Sequence, residues 1–362
     1  MLKKPSTVIP AKAGIHYKLF SHDLTNWYHK HKRDLPWRRT KDPYKIWVSE
    51  IMLQQTTVST VIAYYERWIK MFPTVHDLAK APLQTVLKQW QGLGYYNRVK
   101  NLHKAAFSLI NEHKGIIPQD PKVIRSLPGF GPYTTGSVLS IAYDIPLTII
   151  DANVRRVVMR LLALQGLADT KQDPKVNEFL LKVLPDRGVG NFNQALMELG
   201  ALVCRAKEPV CVLCPLIKYC QAYKTGKQEI IPETKKKFIK DIQAVIAIIK
   251  KGNNYFIQKR PSKGLLADLW EFPGGKVRPR ESKKKALIRE LKEELSIEIK
   301  GAKYLFNVTH FYTQFKVNLN VYACQYVNPP VTNVFHKWVN LQEIRHYPMP
   351  SGSAKIVDKL LA

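Results

Sequence analysis

Apolar residues recur every three or four positions through most of the first two-thirds of the chain, the period of helices that bury one stripe. The segments "DLTNWYHKHKRDLPW", "VSTVIAYYERWIKMF", "DLAKAPLQTVLKQW", "VKNLHKAAFSLINEH", "YTTGSVLSIAY", "NVRRVVMRLLAL" and "FNQALMELGALVC" all carry it. Short connections rich in Pro and Gly separate them. Pro36, Pro43, Pro73, Pro82, Pro118, Pro121, Pro128, Pro132, Pro146, Pro174 and Pro185 mark helix starts or turns, which predicts many short helices rather than a few long ones. From Tyr223 the stripe vanishes, and "YKTGKQEIIPETKKKFIK" reads as a polar, basic linker. Beyond it, "AVIAIIKKGNNYFIQKR" places two β-rich runs around "KKGNN", a hairpin pattern. "EIKGAKYLFNVTH", "QFKVNLNVYACQYV" and "FHKWVNL" are further strand-like runs beside the charged helix "SKKKALIRELKEEL". The expected fold class is multi-domain: a basic extension over 1–21, an all-α domain over 22–225, a linker over 226–240 and an α/β domain over 241–362.

Charge narrows the partner. Lys and Arg number 57 against 28 Asp and Glu, a net +29, which suits a polyanion: nucleic acid first, an anionic membrane second. With 45% hydrophobic residues, 7 Trp, 17 Tyr and 13 Phe, the chain is too rich for a disordered basic tail. No apolar run reaches the ~18 residues of a membrane helix. The N-terminus "MLKKPSTVIPAKAGIHYKLF" lacks the continuous apolar segment of a secretory signal, so a soluble, cytoplasmic protein is expected.

Three constellations carry chemistry. Cys204, Cys211, Cys214 and Cys220 have six, two and five residues between them, an odd-cysteine chain's metal cage rather than a disulfide framework. Four thiolates on one loop ligate either a tetrahedral zinc or a four-iron cluster. The fifth, Cys324, reads as an ordinary buried strand residue. In "LPGFGPYTTGSV", Gly129 and Gly131 form a tight turn before a helix, where backbone N–H groups approach a phosphate unobstructed. Asp151, twenty residues after Gly131, opens "DANVRRVVMR", a position that also suits a plain N-cap. Glu50 sits in apolar company between Trp47, Ile51, Met52 and Leu53, where desolvation favours the neutral form a general acid requires. A buried, hydrogen-bonded Glu of no catalytic use has the same signature. Two carboxylates fit glycosidic-bond cleavage.

Together "LPWR", "DPYKIWVSEIMLQQT", "GLGYYNR", "LPGFGPYTTG", "DANVRRV" and "MELGALVC" resemble the MutY-type adenine DNA glycosylases of the endonuclease III, or helix-hairpin-helix, superfamily, over about residues 23–225. The resemblance implies a helix-hairpin-helix glycosylase domain whose loop 204–220 holds a 4Fe–4S cluster on the four cysteines. It implies that Glu50 protonates adenine at N7, that Asp151 stabilises the oxocarbenium-like sugar, and that Asn153 positions Asp151 and a water. Tyr133 stands where bifunctional relatives carry a Schiff-base lysine, which implies a monofunctional enzyme with Tyr133 lining the sugar pocket. Arg33, Trp37 and Leu53 wall the base pocket, Glu198 contacts the adenine, and Gln55 and Tyr95 enter the duplex as wedges when the base is flipped.

In the C-terminal third, "GGKVRPRESKKKALIRELKEELSI" nearly completes a Nudix box, running from Gly275 through Glu281, Arg289, Glu290, Glu293 and Glu294, with Ser296 where a glycine is expected. Glu290, Glu293 and Glu294 share one helix face and have the chemistry to hold Mg²⁺, although the resemblance implies no hydrolase activity there. MutY proteins carry at this place a MutT-like domain that looks for 8-oxoguanine. Their Phe-Ser-His loop is matched by Tyr312, Thr313 and Gln314, with the imidazole missing. The whole implies a monomeric base excision repair enzyme, acting on double-stranded DNA with 8-oxoguanine·adenine or guanine·adenine mispairs, that uses no divalent metal for its chemistry. Three readings stand beside it: a bifunctional glycosylase and lyase of the endonuclease III kind, which Tyr133 opposes, a Nudix pyrophosphatase whose helical domain only binds DNA, and a non-enzymatic DNA-binding scaffold, which the two carboxylates oppose.

Overall fold

Asp-Pro pairs launch helices in this chain. Asp42 accepts the N–H groups of Tyr44 (2.9 Å) and Lys45 (3.4 Å), and Asp120 that of Lys122 (2.7 Å), which starts Pro43–Leu53 and Pro121–Ser126 with proline at the first position. The structure, a computed structural model, describes residues 13–234, 239–312, 315–328 and 330–362. It divides into two compact units, Met1–His76 with Lys104–Lys235, and Asp77–His103 with Lys236–Ala362.

The first unit is helical: Ala13–His31, Pro43–Leu53, Val58–Met71, Pro121–Ser126, Pro132–Tyr143, Ala152–Leu161, Asp173–Val183 and Val189–Leu202, with most of Asn97–His113. Phe20, Leu24, Tyr28, Val158, Phe192 and Leu196 meet in one core. Phe20 is 2% exposed, so the first helix begins inside the stretch read as a basic extension; residues 1–12 lie outside the described residues. Pro43–Leu53 carries no stripe because it is buried on nearly every side, from Ile46 through Met52. The linker also departs from expectation. Ile231 is buried, its carbonyl accepts from Arg160 Nε at 2.7 Å, and Glu233 donates its N–H to Gly166 at 3.0 Å, which ties residues up to 234 to the helices. Of the expected linker, residues 235–238 lie outside the described residues.

The second unit is built on strands β1 (Lys240–Lys251), β2 (Asn254–Lys259), β3 (Trp270–Glu271), β4 (Gly274–Lys276), β5 (Ile299–Tyr312), β6 (Phe315–Tyr326) and β7 (His336–Asn340), in the order β3-β2-β1-β6-β5, with β4 on β1 and β7 on β2. The expected hairpin closes at Lys251↔Asn254 around Gly252, whose φ of 57° suits the first position of a two-residue loop. Alternate residues face opposite sides. Ile246 and Ile248 pack with Val321 and Ile356, and Val245 and Ala247 with Leu287 and Leu291 of the helix Lys283–Leu295. Cys324 is buried on that second face, as expected. Ser296 ends the Lys283–Leu295 helix at φ 53°, the left-handed geometry that a glycine meets without a Cβ penalty. The segment read as one helix, "DLAKAPLQTVLKQW", breaks before Pro82 into Val75–Lys80 and Leu83–Trp90. Residues 77–103 belong to this second unit. Among the described residues no helix is long and apolar enough to cross a membrane.

Candidate active site

Trp47 and Glu50 lie one turn apart on Pro43–Leu53 and so share a face. Trp47 stacks on Phe130 with ring centroids 4.9 Å apart, which fastens this helix to the hairpin turn. In that turn Phe130 donates its N–H to Leu127 at 3.2 Å, Gly129 takes φ 83°, and Gly131 caps the next helix with open space where a Cβ would stand. The helix Pro132–Tyr143 then brings Tyr133 to the acid, its hydroxyl donating to Glu50 Oε2 at 2.7 Å. Glu50 is 4% exposed. Burial raises its pKa, hydrogen bonds from Tyr133 and Ser137 oppose the rise, and the charge of Asp151 adds to it. Burial likewise holds the Tyr133 phenol well above its ordinary value, so it stays a proton donor.

Asp151 arrives beside these groups because a glycine lets the chain pass. A Cβ on Gly136 would fall 2.8 Å from Thr148 O and from Ile149 Cγ2, in the segment that leads to Asp151. Asp151 is both an N-cap and a candidate catalyst: Oδ1 accepts Val154 N–H at 2.6 Å and Oδ2 accepts Asn153 Nδ2 at 3.0 Å. Burial raises its pKa, and those donors and Arg156 oppose the rise. Asn153 is held in turn. Its Oδ1 accepts Arg156 Nη2 at 2.8 Å, and the same guanidinium donates to the carbonyls of Gly200 (2.8 Å) and Cys204 (2.9 Å). A Cβ on Gly200 would lie 2.6 Å from Asn153 Cβ. Sequence reasoning missed Arg156 and Gly200; the only signals were a basic pair after "DANV" and a small residue in a helix.

Glu198, expected against the base, has both oxygens filled. Oε1 accepts from Arg33 N and Nε (2.9 Å each) and Arg38 Nη1 (2.9 Å), and Oε2 from Arg33 Nη2 (2.7 Å) and Arg38 Nη2 (2.8 Å). Burial alone would raise this carboxyl, but the two guanidiniums hold it down to about 2. Glu198 therefore positions Arg33 and Arg38, and Arg38 was not foreseen. Trp37 is buried edge-on to Tyr65 at 5.4 Å, and Leu53 is half-buried. Gln55 is exposed with φ 57°. Tyr95 belongs to the other unit, 42% exposed at φ 48° in a loop where Trp90 Nε1 and Arg98 Nη2 donate to Gly94 O at 3.0 and 3.2 Å. Both residues hold the left-handed geometry that non-glycine residues keep only where surroundings impose it.

None of the four loop cysteines is in a disulfide, and Cys204, Cys214 and Cys220 pack against the helical core. Burial pushes Cys214 up to about 12, with the charges of Cys204, Cys220 and Cys211 adding to the rise. Arg160 Nη1 faces Cys204 Sγ at 3.3 Å, and the Cys220 thiol donates to Arg160 O at 3.4 Å. Among the described residues no three His, Cys, Asp or Glu side chains are gathered as a single-ion site. Four cysteines on one loop, with a guanidinium against Cys204 Sγ, suit a multi-metal cluster, which takes thiolate ligands and tolerates hydrogen bonds to sulfur.

In the second unit Arg289 occupies the Nudix acids, donating to Glu281 (2.8 Å), Glu290 (2.7 Å) and Glu293 (3.1 Å), while Gln258 donates to Glu294 (2.9 Å). No observation supports Mg²⁺ on this face. Tyr312 ends β5 against His310, ring centroids 4.6 Å apart; Thr313 and Gln314 lie outside the described residues. Val308 is buried in the sheet core, and Thr309 Oγ1 donates to Asn318 Oδ1 at 2.8 Å, while His310 points to the face of β5 opposite Thr309. Burial, then the charge of Lys355, lowers the pKa of His310 and keeps its ring neutral.

A hairpin turn seated against a buried acid, with a second carboxylate at a helix start, defines a helix-hairpin-helix base excision DNA repair protein. The model of that superfamily matches residues 48–186, and a NUDIX domain model matches 244–359. The chain is 36% identical over 348 residues to the adenine DNA glycosylase of Buchnera aphidicola subsp. Acyrthosiphon pisum, covering 94% of this chain and 97% of that one. It is 31% identical to that of Homo sapiens, covering 93% and 73%. A thermostable thymine-DNA glycosylase structure aligns with TM-score 0.52 and 29% identity, over 58% of this chain and 97% of that one. A trapped endonuclease III–DNA covalent intermediate aligns with 0.50 and 25%, over 59% and 96%. The chain belongs to the adenine DNA glycosylase family.

Proposed function

We propose that this chain releases adenine from double-stranded DNA where it is mispaired with 8-oxoguanine or guanine, as a monomeric and monofunctional base excision repair enzyme of the cytoplasm. Neutral Glu50 gives its proton to N7 of the flipped base, and the N-glycosidic bond breaks with the electron pair leaving on adenine. The sugar cation that remains is stabilised by the carboxylate of Asp151. Water adds at the anomeric carbon and returns a proton to the acid, which restores Glu50. Tyr133 holds the Glu50 carboxyl in place and carries no amine to form a Schiff base. Asn153 and Arg156 keep Asp151 aimed, and Arg33 and Arg38, set by Glu198, stand as cations at the wall of the base pocket. Cys204, Cys211, Cys214 and Cys220 would hold a 4Fe–4S cluster that ties the loop after Val189–Leu202; Cys204→Ser is expected to lower bound iron from about four per chain. Tyr312, Thr313 and Gln314 supply the ring and the polar groups that read the opposite base.

The observation that carries this reading is the buried Glu50 carboxyl, hydrogen-bonded to Tyr133 and coupled in charge to Asp151. In single-turnover assays Glu50→Gln is expected to slow adenine release by about 10²–10⁴-fold. Full-rate release by that variant removes the reading. Borohydride is expected to trap no enzyme–DNA adduct, and a trapped adduct would favour the bifunctional alternative.

A further inference from the structure

A cavity of about 650 Å³ opens in the second unit, on the side of the sheet where Trp270 packs with Ile246, Ile248 and Ile356. The helix Lys283–Leu295 covers the other side through Leu287 and Leu291, so the cavity is separate from the acids that Arg289 occupies. Its walls come from the helix Leu83–Trp90, the ends of β2, β3 and β7, and the turn after the short helix Leu341–Ile344. Three lysines line it against one acid, Glu343. Lys259 stands 3.6 Å from Asp268, but that carboxylate also holds Lys100. Among the described residues Lys88 and Lys337 make no ion pair and turn to Tyr347 instead. Lys88 Nζ donates to Gln91 Oε1 at 3.1 Å and to the Tyr347 carbonyl at 3.4 Å. Lys337 Nζ donates to the Tyr347 hydroxyl at 3.4 Å and lies over the rings of Trp270 (5.7 Å) and Tyr347 (5.3 Å). Burial lowers the pKa of Lys88, and the charge of Asp358 opposes the fall. An ammonium half withdrawn from water onto neutral acceptors is a charge that an anion would relieve. Phe335 adds a ring to the same wall, 63% exposed and tilted against the buried Trp270 with centroids 5.7 Å apart. Trp270 is fixed in place, because its Nε1 donates to Gln84 Oε1 at 2.9 Å and Gln84 Nε2 donates to Asp268 O at 3.2 Å. The cavity is therefore already shaped, with unpaired cations on one wall and an unstacked ring beside them.

We propose that this cavity binds a nucleotide, with phosphates on Lys88 and Lys337 and the base stacked on Phe335. The two ammonium groups stand at opposite ends of one tyrosine, which spreads positive charge along the wall and suits a run of phosphates better than a single one. A flat aromatic base covers an exposed phenyl ring, and such stacking is worth about 1–3 kcal/mol. The cavity also falls within the range of about 300–1,000 Å³ that small-molecule sites occupy. A free nucleoside triphosphate and the phosphorylated end of a DNA strand share this chemistry. Base release does not depend on the site, since Glu50, Tyr133 and Asp151 belong to the other unit.

The test is equilibrium dialysis of the full chain against labelled dATP, with a saturating dumbbell duplex present. Such a duplex has no strand ends and fills the DNA-binding face. About one dATP per chain is expected to stay bound. Lys337→Gln and Lys88→Met are each expected to weaken binding by about tenfold, as the loss of a charge-assisted contact does. Phe335→Ala is expected to weaken it by about tenfold as well, while adenine release keeps its parental single-turnover rate. Lys337 and Phe335 are exposed, so these two variants decide the matter even if Lys88→Met fails to fold. A 5′-phosphorylated single-stranded tetranucleotide separates the two sources. Displacement of dATP at lower concentration than unlabelled dATP itself assigns the site to a strand end, and weaker displacement assigns it to the free nucleotide. Either result supports a nucleotide site. No retained dATP, complete displacement by the dumbbell, or unchanged binding in both Lys337→Gln and Phe335→Ala overturns the proposal. Inorganic triphosphate competing as well as dATP overturns it too, because the ring would then contribute nothing.

Discussion

Glu198 and Glu50 show how two buried carboxyls take opposite protonation states. Glu198 is ringed by donors from Arg33 and Arg38 and held at about 2, from an ordinary value of 4.5. Its folded-state pKa is depressed, so its contribution to stability is present above 4.5 and is lost as pH falls toward 2. Glu198→Ala leaves two guanidiniums side by side without a counterion and is expected to cost about 3–5 kcal/mol in chemical denaturation. Glu50 has the reverse sign. Its pKa is raised, so its ionised form is disfavoured in the fold and destabilises the protein as pH rises past the ordinary carboxylate value. Glu50→Gln, although slow in base release, is therefore expected to melt higher than the parent at pH 8, with the difference shrinking in acid. Glu50 was legible in the sequence because its apolar neighbours are adjacent in the chain. The partners of Glu198 were not, since Arg33 and Arg38 are 165 and 160 residues away and only folding brings them together.

Single elements were legible where their signals are local. Prolines placed the helix starts, runs of β-forming residues placed β1, β2, β5, β6 and β7, and the Nudix box called for left-handed backbone at Ser296. That residue is strained, so Ser296→Gly is expected to raise stability by about 1 kcal/mol, read from the urea midpoint. Two things escaped sequence reading for a physical reason. A helix buried all round, Pro43–Leu53, has no stripe to find, and the attachment of residues 77–103 to the second unit depends on side-chain pairs far apart in sequence. Glycines that permit close approach are equally silent. Gly200 touches Asn153, and Gly200→Ala is expected to slow base release by about tenfold while leaving duplex affinity intact, because the displaced group is Asn153 beside Asp151 and not a phosphate contact.

For the molecule as a whole, a net charge of +29 makes DNA affinity an ionic-strength property. If 6–10 phosphates are neutralised, binding is expected to weaken by about 10³–10⁵-fold between 50 and 200 mM salt, with a linear log–log slope in a titration series. The final helix has a further consequence of its own. β5 ends the strand order, and Lys355 and Lys359, one turn apart on Ser351–Leu361, occupy carbonyls two residues apart on it. A protein cut off after Pro350 would present that strand as a bare template on which further copies could stack. Such a truncation is expected to scatter light more steeply than in proportion to its concentration, so the terminal helix guards solubility as well as shape.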